Sequence, residues 1–229
     1  MIRSLLVGAM LTLCACTGAL GERVHEDFHQ TVDSTNSPSV SVDNVAGSIA
    51  VETWTRPAVD VAARKYGYDA SELRGINIDV RRDAGAISVT TRYSGSIHNG
   101  GVRYRITVPQ DSSLNISNVA GSVRLAAVTG NVSVETQAGT IDAVLGRVDG
   151  NRSIDLRATT GTITVRIAHD SSANLDAQSL VGSFSSDFPD IAQSRENVVG
   201  SRASGKIGAG TARVHLQTTT GAIAVRTMQ

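Results

Sequence analysis

The stretch Gly121-Ser-Val-Arg-Leu125 is one copy of a short sequence repeat. The repeat recurs as Gly130-Asn-Val-Ser-Val134 and as Gly139-Thr-Ile-Asp-Ala143, each copy beginning nine residues after the one before, and we call each copy a phrase. Further versions run through nearly the whole chain of 229 residues, and they begin at Gly47, Gly85, Gly161, Gly182 and Gly221. Repetition of a short unit is typical of solenoid architectures. The repeat therefore favours a structural scaffold over an enzyme.

Each phrase alternates between apolar and polar residues. In Gly161-Thr-Ile-Thr-Val-Arg-Ile167 the branched aliphatic residues fall on one side of an extended chain, and the polar residues fall on the other. Period-two alternation predicts β-strands. The residues before each new phrase end in glycine, as in Thr-Thr-Gly161, and glycine adopts the positive φ that a tight corner requires.

The spacing of the phrases predicts an all-β fold. A strand of about five residues followed by a turn of about four leaves no room for a crossover helix, and two-residue hairpin turns are few. From residue 114 onward we expect a β-solenoid, in which identical positions stack in neighbouring coils. A two-sheet antiparallel β-sandwich is the alternative for the first half. Short helical turns are expected only at 70–73 and 190–196.

The domain organisation follows from the same pattern. Residues 1–15 are predicted to be a signal peptide and residues 16–22 a lipidated tether. Residues 23–229 are predicted to form a single β-strand-repeat domain, less regular over 23–110 and regular over 111–229.

The N-terminus carries the features of a bacterial export signal. Arg3 precedes the apolar run 4–13, which is too short for a permanent transmembrane helix. The run ends in Leu13-Cys-Ala-Cys16, which resembles a lipobox and predicts lipid attachment at Cys16. The other cysteine, Cys14, follows Leu13, which is too bulky for the cleavage position. Plain secretion and an uncleaved signal are the alternatives. The predicted location is the cell envelope, on the periplasmic side or the surface of the outer membrane if the host has two membranes.

The composition disfavours nucleic acids and other ligands that bind by stacking on aromatic side chains. Without residues 1–15, which contain Arg3 and no acidic residue, the 21 basic and 21 acidic residues become 20 and 21, a net charge of −1. Such a balance does not favour nucleic acid as a partner. Aromatic residues make up only 3% of the chain, so the stacking platforms that sugar-binding grooves and single-strand nucleic-acid binders need are scarce.

His25-Glu-Asp-Phe-His29 matches the H-E-x-x-H pattern of zinc proteases, in which a helix brings both imidazoles to one face. The segment lies close to the predicted tether, and 34–38 would end any helix before a third ligand. Val24, Phe28 and Val32 suit a first strand or a tether equally well. We therefore predict no metal site here, and no cofactor elsewhere.

Asp142, Asp149 and Asp155 are the candidate catalytic residues of an alternative hypothesis, a glycan-active enzyme built on a β-helix. Such an enzyme needs two carboxylates on either side of a glycosidic bond. Because Arg147 and Arg157 follow nearby, a solvated strand face with ion pairs is the favoured interpretation. His98, His169 and His215 stand alone in the sequence, and the glycine-rich 205–210 leads into a strand, which does not suit a phosphate site.

The chain resembles a large bacterial family of envelope β-strand-repeat domains of unknown function that carries the label "putative adhesin". The resemblance covers about residues 24–229 and rests on three stretches of sequence. They are Asn44-Val-Ala-Gly-Ser-Ile-Ala-Val-Glu-Thr-Trp54, Val102-Arg-Tyr-Arg-Ile-Thr-Val-Pro109 and Gly208-Ala-Gly-Thr-Ala-Arg-Val-His-Leu-Gln-Thr-Thr-Thr-Gly-Ala-Ile-Ala-Val225. It implies a β-repeat fold and export, with no catalytic residues to transfer.

These observations favour a lipid-anchored cell-envelope protein of adhesin-like or scaffold type. We expect it to bind an envelope protein or glycan through its strand faces, without catalysis. The glycan-active enzyme and a regulatory accessory that responds to envelope stress are the alternatives.

Overall fold

A computed structural model describes residues 24–94, 100–196 and 199–228. Almost all of its regular structure is β-strand, with one short helix. The elements are β1 (Val24–Asp33), β2 (Ser39–Ala46), β3 (Ile49–Trp54), β4 (Ala58–Gly67), α1 (Ala70–Gly75), β5 (Ile76–Asp83), β6 (Ala86–Tyr93), β7 (Gly101–Pro109), β8 (Ser113–Ala120), β9 (Val123–Ala126), β10 (Val132–Gly146), β11 (Ser153–Ala168), β12 (Ala173–Val181), β13 (Phe184–Ser186), β14 (Ile191–Glu196), β15 (Gly200–Ile207), β16 (Ala212–Thr220) and β17 (Ile223–Met228).

The strands stack into parallel coils, which confirms the predicted solenoid. Each coil contributes one strand to a first sheet and the next strand to a second sheet. The parallel part of the first sheet contains β6, β2, β8, the first half of β10, the first half of β11, β16 and β12. The parallel part of the second sheet contains β7, β3, β9, the second halves of β10 and β11, β17 and β13.

The corner between the two sheets is formed by the repeat glycines. We expected each glycine to separate two strands, but β10 and β11 each continue through the corner as a single strand. The pairing of Gly139 with Gly161, and of the residues on either side of it, keeps the backbone ladder intact there. An extended corner of this kind needs no break in the hydrogen bonding.

The alternation of the sequence determines which side chains are buried. Ile163, Val165 and Ile167 of β11 are fully buried, and the polar residues between them lie on the outer face. The same inward positions in neighbouring coils form aliphatic columns, for example Leu114, Val132 and Ile154. These columns join into one hydrophobic core. Burial of such aliphatic area is the main source of stability.

A column of buried polar side chains runs beside the corner. Its members stand three residues before a corner glycine, and they are Asn44, Asn118, Thr136, Ser179 and Thr218. Asn44 donates its amide to Asn118 Oδ1 at 3.0 Å, and Ser179 donates its hydroxyl to the Gly221 carbonyl at 2.9 Å. These hydrogen bonds satisfy groups that would otherwise be costly to bury, whereas the buried Thr136 hydroxyl has no partner among the described residues.

The coils do not stack in the order of the chain. The first coil, β2–β3, lies between β6–β7 and β8–β9. The last coil, β16–β17, lies between β11 and β12–β13. Both terminal coils are therefore enclosed by strands on each side.

Antiparallel strands extend the sheets at both ends of the stack. In the first half β1, β4 and β7 pair antiparallel, as do β5 and β6. The parallel coils nevertheless begin already at β2, so a purely antiparallel sandwich does not describe the first half. In the second half β15 pairs antiparallel with both β12 and β14.

One of the two expected helical turns is correct. Helix α1 covers 70–73, and Asp69 caps its N-terminus by accepting from the backbone amides of Ser71 and Glu72. The turn expected at 190–196 is wrong, because this segment forms β14. Its backbone pairs residue by residue with β15, and this tertiary pairing overrides the local preference.

Candidate functional site

Cys16 lies outside the described residues, as do the whole of the predicted signal peptide and tether. Lipid attachment therefore stays a prediction. Within residues 24–94, 100–196 and 199–228, no helix has the length and apolar character needed to cross a membrane.

The H-E-x-x-H segment forms the extended strand β1, so its two histidines are not on a helix. His25 and His29 are both exposed, and His29 Nε2 lies 2.8 Å from Asp60 Oδ1 on the neighbouring strand β4. In the part of the chain that the structure describes, no group of three His, Cys, Asp or Glu side chains is placed to hold a metal ion. The geometry agrees with the interpretation of this segment as a strand.

We expect the purified chain to hold no stoichiometric zinc. In an extended strand residues i and i+4 share a face but lie roughly 13 Å apart along the strand, so His25 and His29 cannot bind one zinc ion as the i, i+4 pair of a helix does. Elemental analysis after dialysis is the measurement, with His25→Ala and His29→Ala as variants whose melting temperatures should match that of the unmodified chain. One tightly bound zinc per chain, lost from either variant, would contradict this prediction.

The three candidate aspartates are not brought together. Asp155 lies in the first sheet and Asp142 in the second, and each forms an ion pair on its own outer face. Asp149 follows β10 in a loop, where its carboxylate lies 2.9 Å from Arg147 Nε. A glycosidase-like pair of facing carboxylates is therefore not formed by these residues.

Asp155 belongs to a polar row across the first sheet. Ser133 pairs with Asp155, Asp155 pairs with His215, and His215 pairs with Asp176. The carboxylate stands between the serine and the imidazole, so the order needed for a serine nucleophile activated by histidine is not present.

The other single residues do not form sites. His98 lies outside the described residues, and His169 is exposed in the turn after β11. Gly205 belongs to β15, and the chain after it continues into β16, with no helix N-terminus at which a phosphate would bind.

The structure contains a feature that the sequence reasoning did not predict. A depression of about 560 Å³ lies on the outer face of the second sheet, and we call it the basic depression. Its walls and floor come from β1, β4, β7 and β3. The outward-facing residues that shape it are Asp27, His29, Ser48, Ala50, Ala62, Arg64, Arg103 and Arg105.

The depression exists because small side chains lie between long ones. Arg105 on β7 pairs with Ala62 of β4 on one side and with Ala50 of β3 on the other. On its far side Ala50 pairs with Arg124 of β9. The alanines of β4 and β3 on either side of Arg105 leave a hollow that Arg64, Arg103 and Arg105 border, and Arg124 lies one strand beyond Ala50.

Ion pairs neutralise only part of this border. Arg64 donates to both carboxylate oxygens of Asp27, at 2.6 and 3.2 Å. This contact lowers the pKa of the Asp27 carboxyl below its ordinary value, mainly through the hydrogen bond from Arg64. Asp60 accepts from Thr31 at 2.5 Å and contacts His29. Both carboxylates are therefore occupied by groups from the protein.

The remaining arginines are exposed. The Arg103 guanidinium lies 4.9 Å from the centre of the Tyr66 ring, a cation–π geometry that orients it. Arg105 and Arg124 are exposed, and among the described residues no carboxylate lies within ion-pair distance of either. These guanidinium groups are available for an external anion.

Part of this site was detectable in the sequence. The alternation in Val102-Arg-Tyr-Arg-Ile106 places Arg103 and Arg105 on one outer face. The alanine floor was not detectable, because Ala50 and Ala62 reach the arginines only through the pairing of β3 and β4 with β7.

Parallel coils, a two-sheet core and a continuous glycine corner define this protein as a β-solenoid-like repeat protein. The family model Toastrack DUF4097 matches residues 31–226, and the chain belongs to this family. A search of curated proteins finds no match.

One solved structure supports the fold, and a second is matched at a lower score. The crystal structure of a "putative cell adhesion protein" from Clostridium sporogenes has a TM-score of 0.65 and 11% identity, over 90% of this chain and 100% of that one. A "putative adhesin" from Bacteroides fragilis is 12% identical over 90% of this chain and 97% of its own, with a TM-score of 0.28. At these identities the similarity to the Clostridium protein establishes the architecture alone.

Proposed function

We propose that this chain is a lipid-anchored protein of the cell envelope that binds another envelope macromolecule through its outer strand faces, without catalysis. The adhesion named for the Clostridium sporogenes protein is consistent with this role. The observation that carries the proposal is the construction of the outer faces. They display rows of Ser, Thr, Asn and ion-paired side chains on a two-sheet scaffold, and the basic depression carries Arg105, which forms no ion pair within the described residues.

The outer rows are suited to binding more than to chemistry. Asp142 contacts Arg166 at 2.5 Å and Asp155 Oδ2 contacts Arg157 at 2.6 Å, so each carboxylate is ion-paired with an arginine of the protein itself, although the buried Asp155 Oδ1 has no hydrogen-bond partner in the described part of the chain. A general acid or base needs a free carboxyl group aimed at a bound substrate. Extended faces of stacked strands offer area and shape instead, as the concave surfaces of other repeat proteins do.

Photo-crosslinking tests the use of the outer faces. A photoreactive amino acid replaces Thr162 on the outer second sheet or Asn115 on the outer first sheet, and Thr129 and Asn151 in the loops between coils serve as controls. We expect one sheet position to give a discrete crosslinked species in intact cells and the loop positions to give none. Equal labelling at all four positions would contradict binding through a strand face.

Lipid anchoring is tested at Cys16. The Cys16→Ser variant should lose the acyl modification and move from the membrane fraction to the soluble fraction, because several acyl chains hold a protein far more firmly than one. Fractionation and the intact mass of the mature chain are the measurements. Cys14→Ser is the matched control and should behave like the unmodified protein. A Cys16→Ser protein that stays in the membrane with unchanged mature mass would refute the assignment.

A further inference from the structure

We propose that the basic depression is the binding site for an acidic glycan, and that it holds a carboxylate or phosphate group of that glycan between Arg103 and Arg105. The inference rests on the proposed function, since it names the partner class that the outer face of the second sheet recognises. Asp27, His29, Ser48, Ala50, Ala62 and Arg64 complete the walls and floor.

The arginine geometry suits one oxyanion. Arg103 and Arg105 stand two residues apart on β7, so their side chains leave the same face roughly 7 Å from each other along the strand. Guanidinium groups present planar forks of donors that match the oxygens of a carboxylate or phosphate. The contact with the Tyr66 ring restricts Arg103 before any ligand arrives. The Arg103 side chain therefore loses less conformational entropy when a ligand binds.

The charges around the floor permit an anion to enter. The two carboxylates nearest the depression, Asp27 and Asp60, are engaged by Arg64 and by His29 and Thr31. Asp142 pairs in register with Arg124 but is hydrogen-bonded to Arg166. Asp27, Asp60 and Asp142 are therefore already neighbours of cations or donors, and Glu52, which follows Ala50 on the same face of β3, is an exposed carboxylate just outside the depression. Arg105 and Arg124 are not neutralised by an ion pair.

The shape and lining favour a glycan over other polyanions. A volume of about 560 Å³ falls in the range of small-ligand sites, roughly 300–1,000 Å³, and suits a short segment of a chain. Ser48 and the exposed Asp27 and His29 offer polar groups to sugar hydroxyls. A protein partner would favour exposed large apolar residues, and those of the described chain lie elsewhere, at Val45, Tyr68, Val119, Leu180, Val181 and Val199. The two arginines of β7 suit a single acid group of a glycan chain, whereas recognition of an anionic membrane surface relies on clusters of roughly four to eight basic residues.

The proposal is tested by direct titration of the purified protein. The chain is produced without residues 1–16, which lie outside the described fold. The probes are an oligogalacturonate, a phosphorylated mannan oligosaccharide and a neutral maltodextrin of matched length, together with vesicles of anionic phospholipid. Calorimetry gives the affinities, and the two acidic probes distinguish carboxylate from phosphate.

We expect at least one acidic oligosaccharide to bind and the maltodextrin not to bind. The double variant Arg103→Gln/Arg105→Gln should weaken this binding by at least about ten-fold, because charge-assisted hydrogen bonds from both forks are lost. The control Arg82→Gln/Arg213→Gln removes the same charge at exposed arginines of the first sheet and should leave the affinity within about two-fold. Thermal melts confirm that both double variants are folded.

Three results would overturn the proposal. They are binding of neither acidic probe, equal weakening by the two double variants, and binding to anionic vesicles with no binding to the acidic oligosaccharides. Failure of the photo-crosslinking experiment in cells would instead count against the proposed function, because the titration uses only the purified chain and defined probes. The two failures are therefore distinguishable.

Discussion

Gly161→Ala is expected to abolish folding. Gly161 has a φ of +151°, and an added Cβ would lie 1.6 Å from the carbonyl oxygen of Gly139 in the neighbouring coil. Real Cβ atoms do not approach a backbone oxygen so closely. The clash has no flexible side chain to absorb it, because both partners belong to paired backbone. We expect a loss of more than about 4 kcal/mol, at the extreme of single substitutions, and little protein in the soluble fraction.

Gly150→Ala is the matched control for the corner. Gly150 also has a positive φ, +65°, but an added Cβ would meet nothing within 4 Å. The cost should be limited to the left-handed backbone itself, about 1–2 kcal/mol. Circular dichroism and thermal melts compare the two proteins. Similar losses for both would show that backbone conformation alone, and not the close approach of the coils, requires glycine at Gly161.

Val134→Asp should be the second most damaging change. Val134 is 1% exposed and packs in an aliphatic column between Ile116 and Leu156. A carboxylate there has no hydrogen-bond partner and must be buried either charged or protonated. We expect a loss of several kcal/mol, on the order of 4, in the free energy of unfolding. Chemical denaturation monitored by circular dichroism measures it.

Asn115→Asp tests the register of the same strands from the other side. Asn115 is exposed on the outer first sheet, where it pairs with Ser41 and Ser133. The change should stay within about 0.5 kcal/mol of the unmodified protein. Ser133 is a poorer choice of control, because it pairs directly with Asp155 and a second carboxylate would repel the first. Equal denaturation midpoints for the Val134→Asp and Asn115→Asp proteins would mean that the assignment of inward and outward positions in these strands is wrong.

The glycines show how far the sequence predicts the fold. Their spacing and the alternation after them are sufficient to predict strands, coils and the inward positions. The sequence accounts for these glycines only by the positive φ that a tight corner requires. The close contact between Gly139 and Gly161 arises when the coils stack, so it cannot be inferred from a single phrase. The basic depression was missed for the same reason. Arg103 and Arg105 are recognisable as neighbours, whereas Ala50 and Ala62 become their floor only through long-range pairing.

The order of the coils was also not predictable. Every phrase has a similar pattern, so hydrophobic periodicity fits any order of stacking equally well. The choice depends on loops and on contacts between residues far apart in the chain. The prediction of a helical turn at 190–196 was wrong for a similar reason, because only the pairing with β15 makes this segment a strand.

The place of the last coil has a consequence for biosynthesis. β16 and β17 separate β11 from β12–β13, yet they leave the ribosome after both of the strands that they separate. Until residues 212–228 have been made, β11 and β12 each have an unpaired edge, and such edges promote aggregation or wrong pairing. Assembly cannot proceed coil by coil as synthesis does. A message truncated shortly before Ala212 would thus yield a chain in which β11 and β12 each keep one native neighbour, β10 and β15, and lose the other.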